Sequence, residues 1–151
     1  MRKFEIVKDE FLSYGTKDII MPKRSTSGSA GYDIFSPVDA IIPPHEKLKI
    51  DTNLKVKMNK NEFLMLCPRS SMGVRGITLA NGVGIIDSDF YGNPTNDGKF
   101  GFLLVNNTDI PFEIKKHDKI GQGIFMKYLT VSGERKVKTK RTGGYGSTGT
   151  K

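Results

Sequence analysis

Several short stretches of the chain combine residue types that handle phosphate compounds. In RTGGYGSTGTK, Arg141 to Lys151, successive glycines let backbone N–H groups converge on an anion. Ser147 and Thr148 add hydroxyl donors, and Arg141 can grip a phosphate bidentately. Tyr145, set between Gly144 and Gly146, places an aromatic ring on a hinge suited to closing over a flat ligand. The stretch is not a P-loop. Gly144 and Gly149 have the G-x-x-x-x-G spacing, but Thr150 and Lys151 follow in the wrong order and no strand pattern precedes. In PRSSMGVRG, Pro68 to Gly76, a guanidinium and two hydroxyls (Arg69, Ser70, Ser71) follow an apolar strand, either as a second anion site or as a capped turn with a surface arginine. GVGIIDSDFYGN, Gly82 to Asn93, is an apolar strand that runs into Asp87. A carboxylate at a strand end is well placed to orient and deprotonate a water. Asp89, two residues on, allows either a metal-ligand role or an ordinary acidic hairpin turn. Asp33, within SAGYDIFS, reads as a turn former when taken alone. Cys67 reads as a buried structural thiol, His45 and His117 as solvated turn residues, and no zinc-type ligand spacing occurs.

The elements that must position these groups are strands. Lys47–Leu48–Lys49–Ile50 and Leu54–Lys55–Val56–Lys57–Met58 alternate with period two. Turn signals such as Pro43–Pro44, Asn96–Asp97–Gly98 and Asn106–Asn107–Thr108–Asp109 separate many short apolar runs. That pattern predicts an all-β sandwich or barrel. One short helix fits, Ser70 to Val74, with Ser71 as its cap. Near Thr130 the composition shifts to Gly, Thr, Ser and Lys/Arg, too polar to bury a core. Residues 1–132 therefore read as one β domain and residues 133–151 as a flexible C-terminal arm.

With 151 residues, 36% hydrophobic and 26% charged, the chain has the composition of one globular domain. No apolar run approaches the roughly 18 residues of a membrane span. The start, MRKFEIVKDE, lacks the apolar core of a signal peptide, and a single cysteine excludes an internal disulfide, so a cytoplasmic protein is expected. Of the net charge of +8, the residues from Glu134 onward carry +5, which makes polyanions plausible partners of the arm. Basic and aromatic residues do not interleave elsewhere, which argues against nucleic acid.

Taken in order, AGYDI, PRSS, GIIDSDFYG, IGQGI and RTGGYGSTG resemble the five successive motifs of the trimeric dUTP diphosphatases, a likeness running from about Ile19 to Gly149. The resemblance implies a distorted β jelly roll and a homotrimer, with sites between subunits and each arm covering a neighbour's site. It implies hydrolysis of dUTP to dUMP and diphosphate with Mg²⁺. Carried over by position, Asp87 matches the general base, and Arg69, Ser70, Ser71, Gln122, Arg141, Ser147 and Thr148 match phosphate contacts. Asn81, Gly84, Ile85, Ile86 and Gly101 match the base pocket. Phe90 stands where the family has a tyrosine packed on the deoxyribose, Tyr145 where a ring stacks on uracil, and Asp33 where an acid meets Mg²⁺ through water.

The chain departs from the family pattern in a few places. The stretch Pro94 to Gly98 is extra and lengthens the loop beside the base pocket. His117 takes a usual glycine's place in a turn, and Lys119 replaces a common arginine. The alternatives are a dCTP deaminase of the same fold and a non-catalytic nucleotide-binding regulatory module.

Overall fold

In Glu62–Cys67 every second residue is buried, as expected of a strand with one face in a core. The same alternation recurs along the chain and dictates the architecture. The computed structural model describes residues 1–144. Its elements, in order, are β1 (Lys3–Ile6), a 3₁₀ turn (Asp9–Phe11), β2 (Tyr32–Phe35), β3 (Ala40–Ile42), β4 (Lys47–Asp51), β5 (Leu54–Lys57) and β6 (Glu62–Cys67). There follow α1 (Ser70–Val74), β7 (Ile77–Leu79), β8 (Gly84–Asp87), a second 3₁₀ turn (Ser88–Phe90), β9 (Gly101–Asn106), β10 (Phe112–Ile114) and β11 (Lys119–Lys127). The described residues are all-β apart from these short turns and one helix.

Two sheets form the body. One has the order β2-β11-β6-β8 and the other β4-β9-β7, with β1-β5 and β3-β10 as two-stranded sheets. All pairings are antiparallel. Ile34, Leu64, Leu66 and Ile120 of the four-stranded sheet share one buried cluster with Ile50, Ile77, Leu79, Phe102 and Leu104 of the three-stranded sheet. Each such side chain contributes about 1.5–3 kcal/mol on burial, so this interior holds the strands in place. Gly121 is required where β11 crosses Phe102, because any Cβ there would strike the ring.

The helix forms where the sequence predicts it, but Arg69 is its N-cap residue and no side chain caps it, so Ser71 does not play that part. His117 adopts φ 71°, the left-handed conformation its turn requires, and its N–H bonds the Ser36 carbonyl at 2.8 Å. Residues 128–144 hold no helix or strand.

The N-terminal strand is fastened by Arg2, whose Nε donates to Glu62 Oε2 at 2.8 Å. The hydrogen bond from Arg2 holds the Glu62 carboxyl at about 2, below its ordinary 4.5, and bonds from Asn59 act in the same direction against the opposing effect of desolvation. A lowered carboxyl pKa gives stability that is complete above the unfolded value and is lost as pH falls through the folded one. The native protein is expected to lose stability between pH 4.5 and 2, with Glu62→Gln showing a shallower slope over that window in thermal melts. Equal slopes would show that Glu62 is not the group responsible.

Candidate active site

The path to the first part of the site starts at β8. This strand lies against β6, with Gly84 opposite Leu66, Ile86 opposite Leu64 and Asp87 opposite Phe63. A Cβ on Gly84 would come within 3.1 Å of Leu66, so glycine lets Leu66 pack close against the strand where the site opens. The opening is a cavity of about 250 Å³. Asn81, Gly84, Ile85 and Ile86 form one wall and Gly101 of β9 another, while Leu66, Leu79, Phe100 and Leu103 provide an apolar floor. Apolar walls with two glycines, which bring the backbone itself to the edge of the cavity, suit one flat ring. Phe90, on the turn after β8, lines the same cavity and is only 5% exposed.

Asp87 also lines this cavity, and its side chain is 46% exposed, open to water and to a ligand alike. Arg141 of the same chain sits against it. Its guanidinium bonds Asp87, its Nε reaches Asp89 Oδ1 at 3.0 Å, and it lies 5.9 Å from the centre of the Phe90 ring. Gly144 rests on that ring so closely that a Cβ would approach it to 2.9 Å. The resemblance places the arm on a neighbour's site, whereas in the single chain Arg141 and Gly144 close over their own pocket. The carboxylates of Asp87 and Asp89 supply the attraction for the guanidinium.

A second constellation lies elsewhere on the four-stranded sheet. Asp33 on β2 and Cys67 on β6 both pair with Gln122 of β11, so the three form one row across adjacent strands. Asp33, 6% exposed, takes Arg69 Nε at 3.0 Å, Lys119 Nζ at 2.8 Å and the Ser25 hydroxyl at 2.6 Å. Burial pushes the Asp33 carboxyl up, but hydrogen bonds from Lys119 and Ser25 and the charge of Arg69 outweigh it and leave the pKa lowered. Gln122 donates to the Pro68 carbonyl at 3.2 Å, and its side chain fills the space where Gly31 would carry a Cβ. Ser70 and Ser71 head α1 and are exposed.

The predicted site residues thus fall into two groups. Asn81, Gly84, Ile85, Ile86, Asp87, Phe90, Gly101 and Arg141 meet in one cavity, and Asp33, Arg69 and Gln122 meet in a cation-rich cluster that does not line it. Phe63 and Cys67, the β6 partners of Asp87 and Gln122, are four residues apart, and Asp33 is three strands from Asp87. Together these offsets separate the two acids by on the order of 20 Å. Tyr145, Ser147 and Thr148 lie outside the described residues. Sequence reading missed Ser25, Asp89 as a partner of Arg141, and the floor residues. Ser25 carries no pattern, and Leu66, Leu79, Phe100 and Leu103 look like any core residues.

Fold and site together define an all-β protein with a ring-sized pocket beside a strand-end carboxylate and a separate cation-rich cluster. The dUTPase family model matches residues 17–150. The deoxyuridine 5′-triphosphate nucleotidohydrolase of Lactococcus lactis is 42% identical over 99% of this chain and 98% of its own length. That of vaccinia virus is 34% identical over 85% of this chain and 84% of its own. Among solved structures, the dUTPase of Streptococcus mutans superposes with a TM-score of 0.77 at 32% identity, covering 87% of this chain and 99% of that one. The chain belongs to the dUTPase family.

Removing the acid of the cluster leaves Arg69 and Lys119 facing one another. Both side chains are about one-third exposed and can turn to water. Asp33→Asn is therefore expected to cost only about 1 kcal/mol in denaturant unfolding, and less at high salt. A loss above about 3 kcal/mol would show that the cations are trapped without their partner.

Proposed function

We propose that the chain is a Mg²⁺-dependent dUTP diphosphatase, working as a homotrimer in the cytoplasm. The observation that carries this reading is Asp87, a half-exposed carboxylate ending β8 at a ring-sized pocket. The pocket belongs to a chain 42% identical to a deoxyuridine 5′-triphosphate nucleotidohydrolase along almost its whole length. Uracil enters between β8 and β9 and is read by backbone groups near Asn81, Gly84 and Gly101, while the deoxyribose packs on Phe90. A ring against the sugar leaves no room for a 2′-hydroxyl. Asp87 takes a proton from water, and the water oxygen bonds to the α-phosphorus. The bridging P–O bond to the β-phosphate breaks, and diphosphate leaves. Arg141, now on Asp87, exchanges that carboxylate for phosphate oxygens, and Tyr145, Ser147 and Thr148 complete the closure as a lid.

Arg69, Ser70, Ser71 and Gln122 bind the outer phosphates in this reading. They lie too far from Asp87 of the same chain for one triphosphate to touch both, so a second copy supplies them. Support comes from the outward face of the four-stranded sheet. Met65 stands opposite Ile85 on one side and Ile124 on the other, and Ile85 is 51% exposed. Phe63 and Met126 continue the row, and an apolar sheet face of this kind is normally covered by another chain. The lone cysteine, Cys67, agrees with a reducing compartment.

The donor set fits Mg²⁺ held mainly by substrate and water. Among the described residues no three acids, histidines or cysteines cluster as a metal cage. Asp33 is an ionised carboxylate within the phosphate-binding cluster, which suits an ion that keeps its waters. Bound there, the ion would spread the charge of the phosphates. Asp33 itself would orient those waters, and it holds the Arg69 and Lys119 side chains in place.

Release of diphosphate is expected with dUTP and Mg²⁺, and far less with dCTP, dTTP or UTP. Asp87→Asn should lower kcat by about 10²–10⁴-fold while dUTP binding persists. Absence of diphosphate release, or a fully active Asp87→Asn, would contradict the assignment. Ammonia release from dCTP would point to deamination instead.

A further inference from the structure

The extra stretch Pro94 to Gly98 is polar, and polar loops ordinarily lie in water. Here Asp97 is 3% exposed, and Gly98 behind it is also buried. Asp97 accepts Lys55 Nζ at 2.7 Å, and the two side chains are only 4% and 12% exposed. The backbone N–H of Lys8 donates to the same carboxylate at 2.9 Å. Burial raises the Asp97 carboxyl, but Lys55 and Lys8 outweigh it and keep the pKa lowered. A buried ion pair of this kind adds little net stability over apolar packing, so its effect is to be sought in geometry.

That geometry leads to Phe90. Asp97 N–H bonds the Asn93 carbonyl at 2.7 Å, Asn93 N–H bonds the Phe90 carbonyl at 3.2 Å, and Gly92 N–H returns to the Asp97 carbonyl at 3.2 Å. Asp97 and Gly98 take φ of 60° and 82°, which folds the loop back beneath the Phe90 backbone. A Cβ on Gly98 would lie 2.5 Å from the Phe90 carbonyl oxygen and 3.0 Å from Tyr91 Cα. Tyr91 is tied to the same place, with its hydroxyl on Glu5 of β1 and its ring 5.1 Å from Lys55 Nζ. Lys55 stands on β5, which β1 pairs along its length.

We propose that the Lys55–Asp97 ion pair clamps this loop to β5 and thereby sets the depth of Phe90 in the pocket. Asp97 and Lys55 are then positioning residues for sugar discrimination. The inference rests on the reading of Phe90 as the surface that meets the deoxyribose. Neither residue touches substrate. Both act through the backbone that follows Phe90, where a displacement of a fraction of an ångström opens or closes space at the 2′ position.

The test is kcat/KM for dUTP and for UTP in the full-length enzyme and in Asp97→Asn, Lys55→Met, Phe90→Ala and the Phe90→Ala/Asp97→Asn pair, each checked for folding by thermal melt. Asp97→Asn is expected to lower the dUTP-to-UTP ratio about tenfold through KM, with kcat for dUTP within about twofold. Lys55→Met lowers it in the same direction, and it decides the matter should Asp97→Asn not fold. Phe90→Ala lowers the ratio at least as far, and adding Asp97→Asn to it changes nothing more, because both act through one ring. Folded Asp97→Asn and Lys55→Met with an unchanged ratio, beside a collapsed ratio in Phe90→Ala, would overturn the clamp. An unchanged ratio in Phe90→Ala would instead remove the sugar-platform reading, and the clamp with it.

Discussion

Strand β6 is the constraint on which the site depends. It pairs with β8 on one side and β11 on the other, so its register fixes where Asp87 and Gln122 stand. Phe63 meets Asp87 near one end, and Cys67 meets Gln122 at the other. Pro68 and Arg69 follow at once. A slip of one residue would turn Leu64 and Leu66 out of the core, so the burial of those two side chains also locks the distance between the pocket and the anion cluster. The hydrophobic interior and the chemical layout are thus set by one pattern of alternation. The same pattern points Phe63 and Met65 outward, onto the apolar face that an assembly would cover.

Both halves of the site keep their cations beside carboxylates. Asp33 faces Arg69 and Lys119, and Asp87 and Asp89 face Arg141. In each, a guanidinium that suits phosphate is held in place before any phosphate is there. In the proposed function that arrangement would lower the conformational cost of binding, since the side chains are already ordered. It also pairs Asp87 with Arg141 in the single chain, so in the proposed reaction Arg141 has to release that carboxylate before it acts as a base.

Much of this was legible in the sequence. The period-two runs gave strands, the Pro68-to-Gly76 stretch gave the one helix, and the turn at His117 gave a left-handed residue. An ordered set of short motifs singled out Asn81, Gly84, Ile85, Ile86, Asp87 and Phe90, and these residues line one cavity. The cap of the helix was misread, because Ser71 has a capping side chain but the fold puts the boundary at Arg69. Other features were invisible for physical reasons. Leu66, Leu79, Phe100 and Leu103 are selected by packing and differ in no way from core residues elsewhere. Ser25 reaches Asp33 only because a loop folds back. Asp97 reads as a plain turn former in Asn96–Asp97–Gly98, and nothing local shows that Lys55, far off in sequence, will bury it.

The central claim is that one chain carries two incomplete halves and that only assembly joins them. Its most direct test mixes two inactive proteins. Asp87→Asn lacks the base but keeps the anion cluster, and Arg69→Ala lacks the cluster but keeps the base. Unfolded together and refolded, copies exchange at random, and sites that draw Asp87 from one copy and Arg69 from another regain function. Diphosphate release from dUTP is predicted to return to about a quarter of the wild-type rate. Mixed trimers that form but stay as inactive as their parents would show that each site is complete within a single chain.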